Sequence, residues 1–549
     1  MARTTFLALL LGALLGGGAP AQEEHHHGTG EASEALGTVH FPVSCLDDAQ
    51  GDFTRAVALL HSFGYEESRK AFMAVSDKDP RCGMAQWGIA MTYYHQIWAP
   101  PTASELVLGR AAAERAASLS APTDRERGYI GAIGTFYRDS DRLDFRTRAL
   151  AYKAAMEELS RRFPGDHEAL IFYALSIRAT APEDDPSYTE QKKAAKILND
   201  LLPIELQHPG IAHYLIHSFD YPSLAAAALP AAREYAKIAP SSPHALHMPS
   251  HIFTRLGLWQ ESIDSNVASA DAARRLVART HPGAASFDAL HALDYLEYAY
   301  LQVDDETRAR EVVREAAAAK AFDDPQFAAG YALAAIPARY ALERRKWSAA
   351  AKLEPPQIEM PWDNFPYAKA SSYFAQALGG ARSGKLERAR AGLARLEDLH
   401  ARLVQSPVPG PYDWTSRVES MHLAAQAWLV YSEKHGDEAL KLARAAADLE
   451  DRTGKHAVSP GAILPARELL GDMLVELRRP GEALTEYEAS LRTAPNRFNG
   501  LSGAARAAEL SGNREKARQL YAKLLANCGT RTTGRAELSQ ARDYMAKGG

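Results

Sequence analysis

The sequence predicts an all-α protein, an α-solenoid of stacked helical hairpins, and three observations carry that expectation. Ala, Leu, Glu and Arg are abundant while strand-forming runs are scarce, a balance that favours helix. At 549 residues the chain is too long for one compact core, so several domains or an elongated array are expected. Small residues and aromatics also recur at a fixed interval near the C-terminus, the mark of a repeated helix–turn–helix unit.

The C-terminal repeats are the clearest. In "LPARELLGDMLVELRRPGEALTEYEASLRTAPN" two amphipathic helices are joined by a short turn and closed by Pro495, and "NGLSGAARAAELSGNREKARQLYAKLL" repeats the scheme. Gly471 recurs as Ala505, Ala483 as Ala517 and Tyr487 as Tyr521, each 34 residues on. Small residues let two helices approach and the aromatic fills the space beside them. This pattern resembles the tetratricopeptide-repeat family. The resemblance implies that each hairpin buries its apolar face on the next, and that first helices line a concave groove where ligands bind. The array is expected to curve into a right-handed superhelix.

Weaker copies extend the scheme upstream. "YEESRKAFMAVSDKDPRC" leads into "AQWGIAMTYYHQIW", with Tyr65, Phe72 and Pro80 at repeat positions, and "YKAAMEELSRRFPGDHEALIFYALS" joins a second helix to a new first helix. Further hairpins fit around "GLWQESIDSNVAS", "DDETRAREVV", "RKWSAAAKLE", "SGKLERARAGLARL" and "HGDEALKLARAAADLED". About ten to twelve hairpins are expected, with irregular insertions near 100–140, 275–290 and 350–366. The expected organisation is a signal segment over 1–21, a flexible N-terminus over 22–48, a His-rich array over 49–350, a connector over 351–368 and a second array over 369–549.

Residues 1–21 read as an export signal: Arg3, the apolar run "FLALLLGALL" and the small-residue site "APA". A periplasmic or secreted location is the expectation, and no later segment has the apolar length of a membrane span. "VHFPVSC", "LLHSFGYEESRKAF", "HPGIAHYLIHSFDYP" and "HMPSHIF" are similar to a group of exported bacterial tetratricopeptide proteins, which implies fold and location without an activity. In an oxidising compartment Cys45 and Cys82 could pair, leaving Cys528, and three unpaired thiols is the other reading. A net charge of −5 gives no general electrostatic reason to bind nucleic acid. Gly-rich phosphate loops, a Gly-x-Ser-x-Gly elbow and His-Glu-x-x-His are absent from the sequence.

The histidines carry the chemistry. His213 with His217, and His247 with His251, are pairs four residues apart, and the second pair follows the first by 34 residues. Residues four apart share a helix face, so each pair can chelate, and two stacked pairs can offer three or four nitrogens to zinc or copper. The other repeats lack the pair, so duplication alone explains it poorly. Matched to the family pattern, His244, His247 and His251 face the groove, as do His213 and His217, and then His291, Asp294 and Tyr298. His61 and His95 are also 34 apart. Packing histidines, hydrogen-bonded to backbone, are the competing reading. Pro249 opens a further alternative: if a helix starts there, His247 sits at its mouth and the two pairs lose their equivalence. The His25–His27 tract reads as a solvated tail, His208 and His281 as turn residues, and Trp87, Tyr93, Tyr94 and Trp98 as core or groove wall.

Two functions follow. One is a solenoid that binds a peptide, protein or small molecule in its groove and carries a copper or zinc site at His213, His217, His244, His247, His251 and His291. The other is a metal-dependent enzyme on the same scaffold, with Tyr298 or Asp294 as acid or base.

Overall fold

Helix follows helix along the chain, each packed chiefly against its sequence neighbours. The computed structural model describes residues 34–97, 100–119, 121–182, 185–408, 412–529 and 534–547. The expected signal segment, the His25–His27 tract and Trp98 lie outside them. Among the described residues the secondary structure is helical apart from turns and one isolated bridge between Ala285 and Phe322. The fold is an α-solenoid of tetratricopeptide-type hairpins.

The C-terminal repeat shows why the spacing works. Ala466–Glu476 packs on Pro480–Thr493, and a Cβ added at Gly471 would lie 2.8 Å from the Tyr487 ring. Only glycine permits that approach. Elsewhere the insertion expected near 100–140 is regular structure, with helices Ala103–Ser118 and Asp124–Tyr137. Their starts are fixed by side-chain caps, Thr102 in a capping box with Glu105, and Thr123 accepting from the Glu126 N–H. Each cap contributes on the order of 1 kcal/mol. Residues 351–361 do lack regular helix, and short 3-10 turns at Trp362–Asn364 and Pro366–Lys369 follow.

Of the stretch expected to be flexible over 22–48, the described part, residues 34–48, is packed onto the helices. Phe41 is buried edge-on against Phe53 and Trp87, with ring centroids 5.4 and 5.5 Å away, and Thr38 N–H donates to the Gln207 carbonyl. An aromatic anchor sunk into a core holds its backbone in place. Cys45 and Cys82 are joined by a disulfide, and Cys528 is buried in the Arg514–Cys528 helix.

The chain also returns on itself. Trp259 Nε1 donates to the Asn496 carbonyl at 2.9 Å, and Gly257, at φ +65°, has no room for a Cβ, which would lie 2.3 Å from the Pro495 carbonyl oxygen. Beside this seam lies a buried ionic layer. Arg497 bonds the Tyr298 hydroxyl (2.7 Å), Glu468 (2.7 Å) and Glu343, while Arg339 bonds Asp294 (2.5 Å) and Glu297 (3.1 Å). Hairpins far apart in sequence are thereby held together.

On the outer side, Glu306 gathers Lys346 (2.6 Å), Arg310 (2.7 Å) and Arg344. Burial alone would raise its carboxyl, but these hydrogen bonds and charges outweigh it and hold the group down to about 2. A depressed carboxyl contributes stability above its unfolded value near 4.5, and that contribution is lost as pH falls towards 2. Glu306→Gln is therefore expected to cost on the order of 2 kcal/mol at pH 7, and in urea melts the gap to the parent should narrow steadily as pH falls from about 4.5 towards about 2.

Candidate metal centre

Six histidines meet in the interior, and their helices explain how. Pro209–Phe219 begins with proline at its first turn and carries His213 and His217 one turn apart. In the next repeat Pro243–His247 and Pro249–Leu256 are separated only by Met248, which keeps helical dihedrals of −53° and −36°. Pro249 removes a hydrogen bond and divides the segment into two helices, but the helical dihedrals of Met248 carry the turn across the break. His247 and His251 therefore keep the one-turn relation of the earlier pair, and both pairs show the same Nε2–Nε2 separation, 3.1 Å. His291 comes from Phe287–Gln302, whose start is capped by Ser286.

The expectation that stacked pairs supply one ion together is replaced by a different grouping. Each pair takes its third ring from the lead helix of the following repeat. His213, His217 and His244 form one triad, and His247, His251 and His291 the other. In the first, His213 Nε2 lies 3.1 Å from both His217 Nε2 and His244 Nε2. In the second, the His247 and His291 ring centroids are 4.3 Å apart. The triads adjoin, with centroids 6.3 Å apart for His217–His251 and for His244–His247. All six rings are buried, inside the packed interior and not on an open concave wall.

Proton placement decides what these contacts mean. His247 Nδ1 is 2.7 Å from Asn266 Oδ1, while the Asn266 amide nitrogen donates to the Ser262 carbonyl at 2.7 Å. That second bond fixes the amide, so Nδ1–H of His247 is the donor. His251 Nδ1–H donates to Asp220 Oδ2 at 3.0 Å. Both neutral rings thus present a lone pair at Nε2, and those lone pairs face each other at 3.1 Å. His213 Nδ1–H donates to the His61 carbonyl at 2.6 Å, so its Nε2 can accept from only one of its two neighbours. Two nitrogens bound to a tetrahedral ion at about 2.05 Å stand about 3.3 Å apart. Carbonyl, amide and carboxylate partners on the far nitrogen are what orient metal-ligating imidazoles. Burial holds all six rings below their ordinary range, which keeps them uncharged and able to ligate.

A third cluster, His61, Glu168 and His208, is of another kind. His208 Nδ1 accepts from the Gly210 N–H, so its proton is on Nε2 and is donated to Glu168 Oε1 at 2.9 Å. His61 Nε2 reaches Glu168 Oε2 at 2.9 Å and its Nδ1 meets the Tyr214 hydroxyl at 2.9 Å. Burial would raise the Glu168 carboxyl, yet the two imidazoles hold it well below the usual range. Every polar atom has a partner of the right sense, which is a structural lock. His95 stands apart beside Glu105 at 3.8 Å, so the 34-residue match of His61 and His95 creates no shared site.

Remote segments close over the triads. Phe63, just after the first helix, packs on His213, with centroids 4.4 Å apart. From the other end of the chain, Lys455 Nζ donates to Asp220 Oδ2 at 3.0 Å and the Tyr295 hydroxyl reaches the Ser459 carbonyl at 3.0 Å. Arg255 Nε donates to Asp220 Oδ1 at 2.8 Å. Burial lowers the Lys455 ammonium to about 8 against the pull of Asp220. A cavity of about 680 Å³ adjoins, lined among others by Arg178, Asp220, Arg255, Tyr298, Lys455 and His456. Asp294 does not reach it: its bonded oxygen is held by Arg339. Asn266, Tyr295 and Lys455 carry no motif in the sequence that marks them as partners of the centre. Asp220 alone had a local signal, three residues after His217 in "HSFDYP".

The fold and this centre define the molecule as a helical-repeat solenoid built around buried imidazoles. No protein-family model matches the chain, and no curated protein does. Solved structures with which it aligns include a human IFIT1 dimer with m7Gppp-AAAA (13% identity, 88% of this chain and 90% of that one, TM-score 0.35). Yeast Tom70 aligns at 9% identity over 91% and 96% of the two chains, TM-score 0.33. An APC/C Cut9–Hcn1 hetero-tetramer aligns at 12% identity over 90% and 96%, TM-score 0.30. No described helix is long and apolar enough to cross a membrane.

Proposed function

We propose that this protein is an exported tetratricopeptide-type solenoid that holds a transition metal, copper or zinc, in its six-histidine interior. The observation that carries the reading is the pair of opposed lone pairs on His247 and His251, with both Nδ1 protons already committed to Asn266 and Asp220. Facing lone pairs repel. A cation between them turns the same geometry into attraction, and few other arrangements of neutral rings do so. The Cys45–Cys82 disulfide supports an oxidising compartment, and with it the export reading. The adjoining cavity favours a small-molecule or peptide-end ligand at the same place, and it also supports the second reading, an enzyme with Tyr298 at the cavity wall.

The test is metal analysis of full-length, tag-free protein in which His25, His26 and His27 are replaced by alanine, loaded with copper or zinc and then dialysed. Stoichiometric metal is expected. Protein that stays metal-free under replete conditions contradicts the proposal.

A further inference from the structure

We propose that the centre is a two-ion site for monovalent copper, one copper(I) in each triad, and not a single-ion site. The inference rests on the metal-binding reading above and goes beyond it in number, charge and identity of the ions.

Number follows from grouping. Each triad has its own pair one helical turn apart and its own third ring, and each has a ring whose Nδ1 is tied off: His213 to the His61 carbonyl, His251 to Asp220. Within a pair the Nε2 atoms are 3.1 Å apart, close to the separation set by shared ligation of one ion. In each triad the three ligand nitrogens lie within 4.8 Å of one another, and the pairs stand apart, with ring centroids 6.3 Å apart for His217–His251 against 4.8 and 5.0 Å inside the pairs. One ion drawing on all six rings would have to pull both pairs from the partners that orient them.

Identity follows from charge. All six ligands are neutral, and the carboxylate that contacts a ring, Asp220, already faces Arg255 and Lys455. Two divalent ions would place four positive charges in this interior, where the carboxylate bonded to a ring is already matched by two cations. Two monovalent ions place two. The cost of burying an ion rises with the square of its charge, so each divalent ion costs about four times as much as a monovalent one. Imidazole suits both copper and zinc. Of the two, copper is the one with a monovalent state, and a three-nitrogen environment satisfies it. The cavity lined by Asp220 and Lys455 is one residue away from the second triad, because Asp220 also bonds His251.

Anaerobic titration of the full-length protein, His25–His27 replaced as above, with copper(I) against a chromophoric chelator reads the proposal directly. Two equivalents per chain are expected, falling to one in His217→Ala and to one in His291→Ala, with circular dichroism confirming that each variant keeps its helices. Equimolar zinc(II) should displace neither ion. Uptake of a single equivalent by the parent protein overturns the two-ion proposal while leaving metal binding intact. Displacement by zinc overturns the copper assignment. Uptake of nothing removes both this inference and the reading it rests on. The parent stoichiometry decides the question even if a variant fails to fold.

Discussion

In His213→Ala/His251→Ala, retained metal falls to background while the helical signal persists, and affinity drops by at least about 100-fold. The size of the effect comes from where the two rings stand. His213 is the hub of its triad, with Nε2 at 3.1 Å from both companions. His251 is the ring oriented by Asp220 and set against His247. Losing an orienting partner alone weakens metal binding about 10–100-fold, and loss of the ring itself must exceed that. His95→Ala, whose ring stands apart beside Glu105, should retain full metal. Metal analysis with circular dichroism on the same samples separates lost ligation from lost fold. A packing role for the six rings predicts the opposite pattern, lower stability in the double variant with metal content unchanged from a parent that holds none.

The largest loss of stability is expected from Arg339→Met. Arg339 is fully buried and bonds Asp294 and Glu297, whose carboxyls burial pushes up even with the guanidinium present. Asp294 Oδ2 and Glu297 Oε1 make no further hydrogen bond among the described residues. Removing the cation leaves two carboxyls in an apolar interior, at a cost of about 3–5 kcal/mol. Both groups then favour the protonated form in the folded state more strongly. Folded values raised above the unfolded ones mean that stability falls as pH rises, so the variant's deficit should be smaller at pH 5 than at pH 8 in denaturant melts. The triple variant Arg339→Met/Asp294→Asn/Glu297→Gln should recover much of the loss, because it removes the buried charge rather than exposing it.

Particular residues show how much of the fold and the centre can be read in the sequence. The 34-residue interval through Gly471, Tyr487 and their partners could be read because small and aromatic residues are forced wherever hairpins touch, and the Gly471–Tyr487 contact bears this out. The two histidine pairs were visible because a helix face has a fixed period. Their division into two triads was not, since the third ring of each comes from the lead helix of the next repeat at unequal spacing. Pro249 left two geometries open in sequence. The structure shows one, because Met248 keeps helical dihedrals on the near side of the proline. Asn266 lies on the Trp259–Thr280 helix and Lys455 some 200 residues from the ligands, brought in by the return of the chain on itself. Local patterning carries no trace of such closure. The same closure explains why imidazoles expected on an open groove wall are buried beneath Phe63 and the 455–459 segment.

X-ray absorption at the copper edge of the loaded protein shows whether the ion sits among the six rings. The expected spectrum has a first shell of about three nitrogens per ion near 2.0 Å with the multiple-scattering signature of imidazole. A first shell dominated by water oxygen or by sulfur would contradict it, because the ion would then be bound somewhere other than among these six rings.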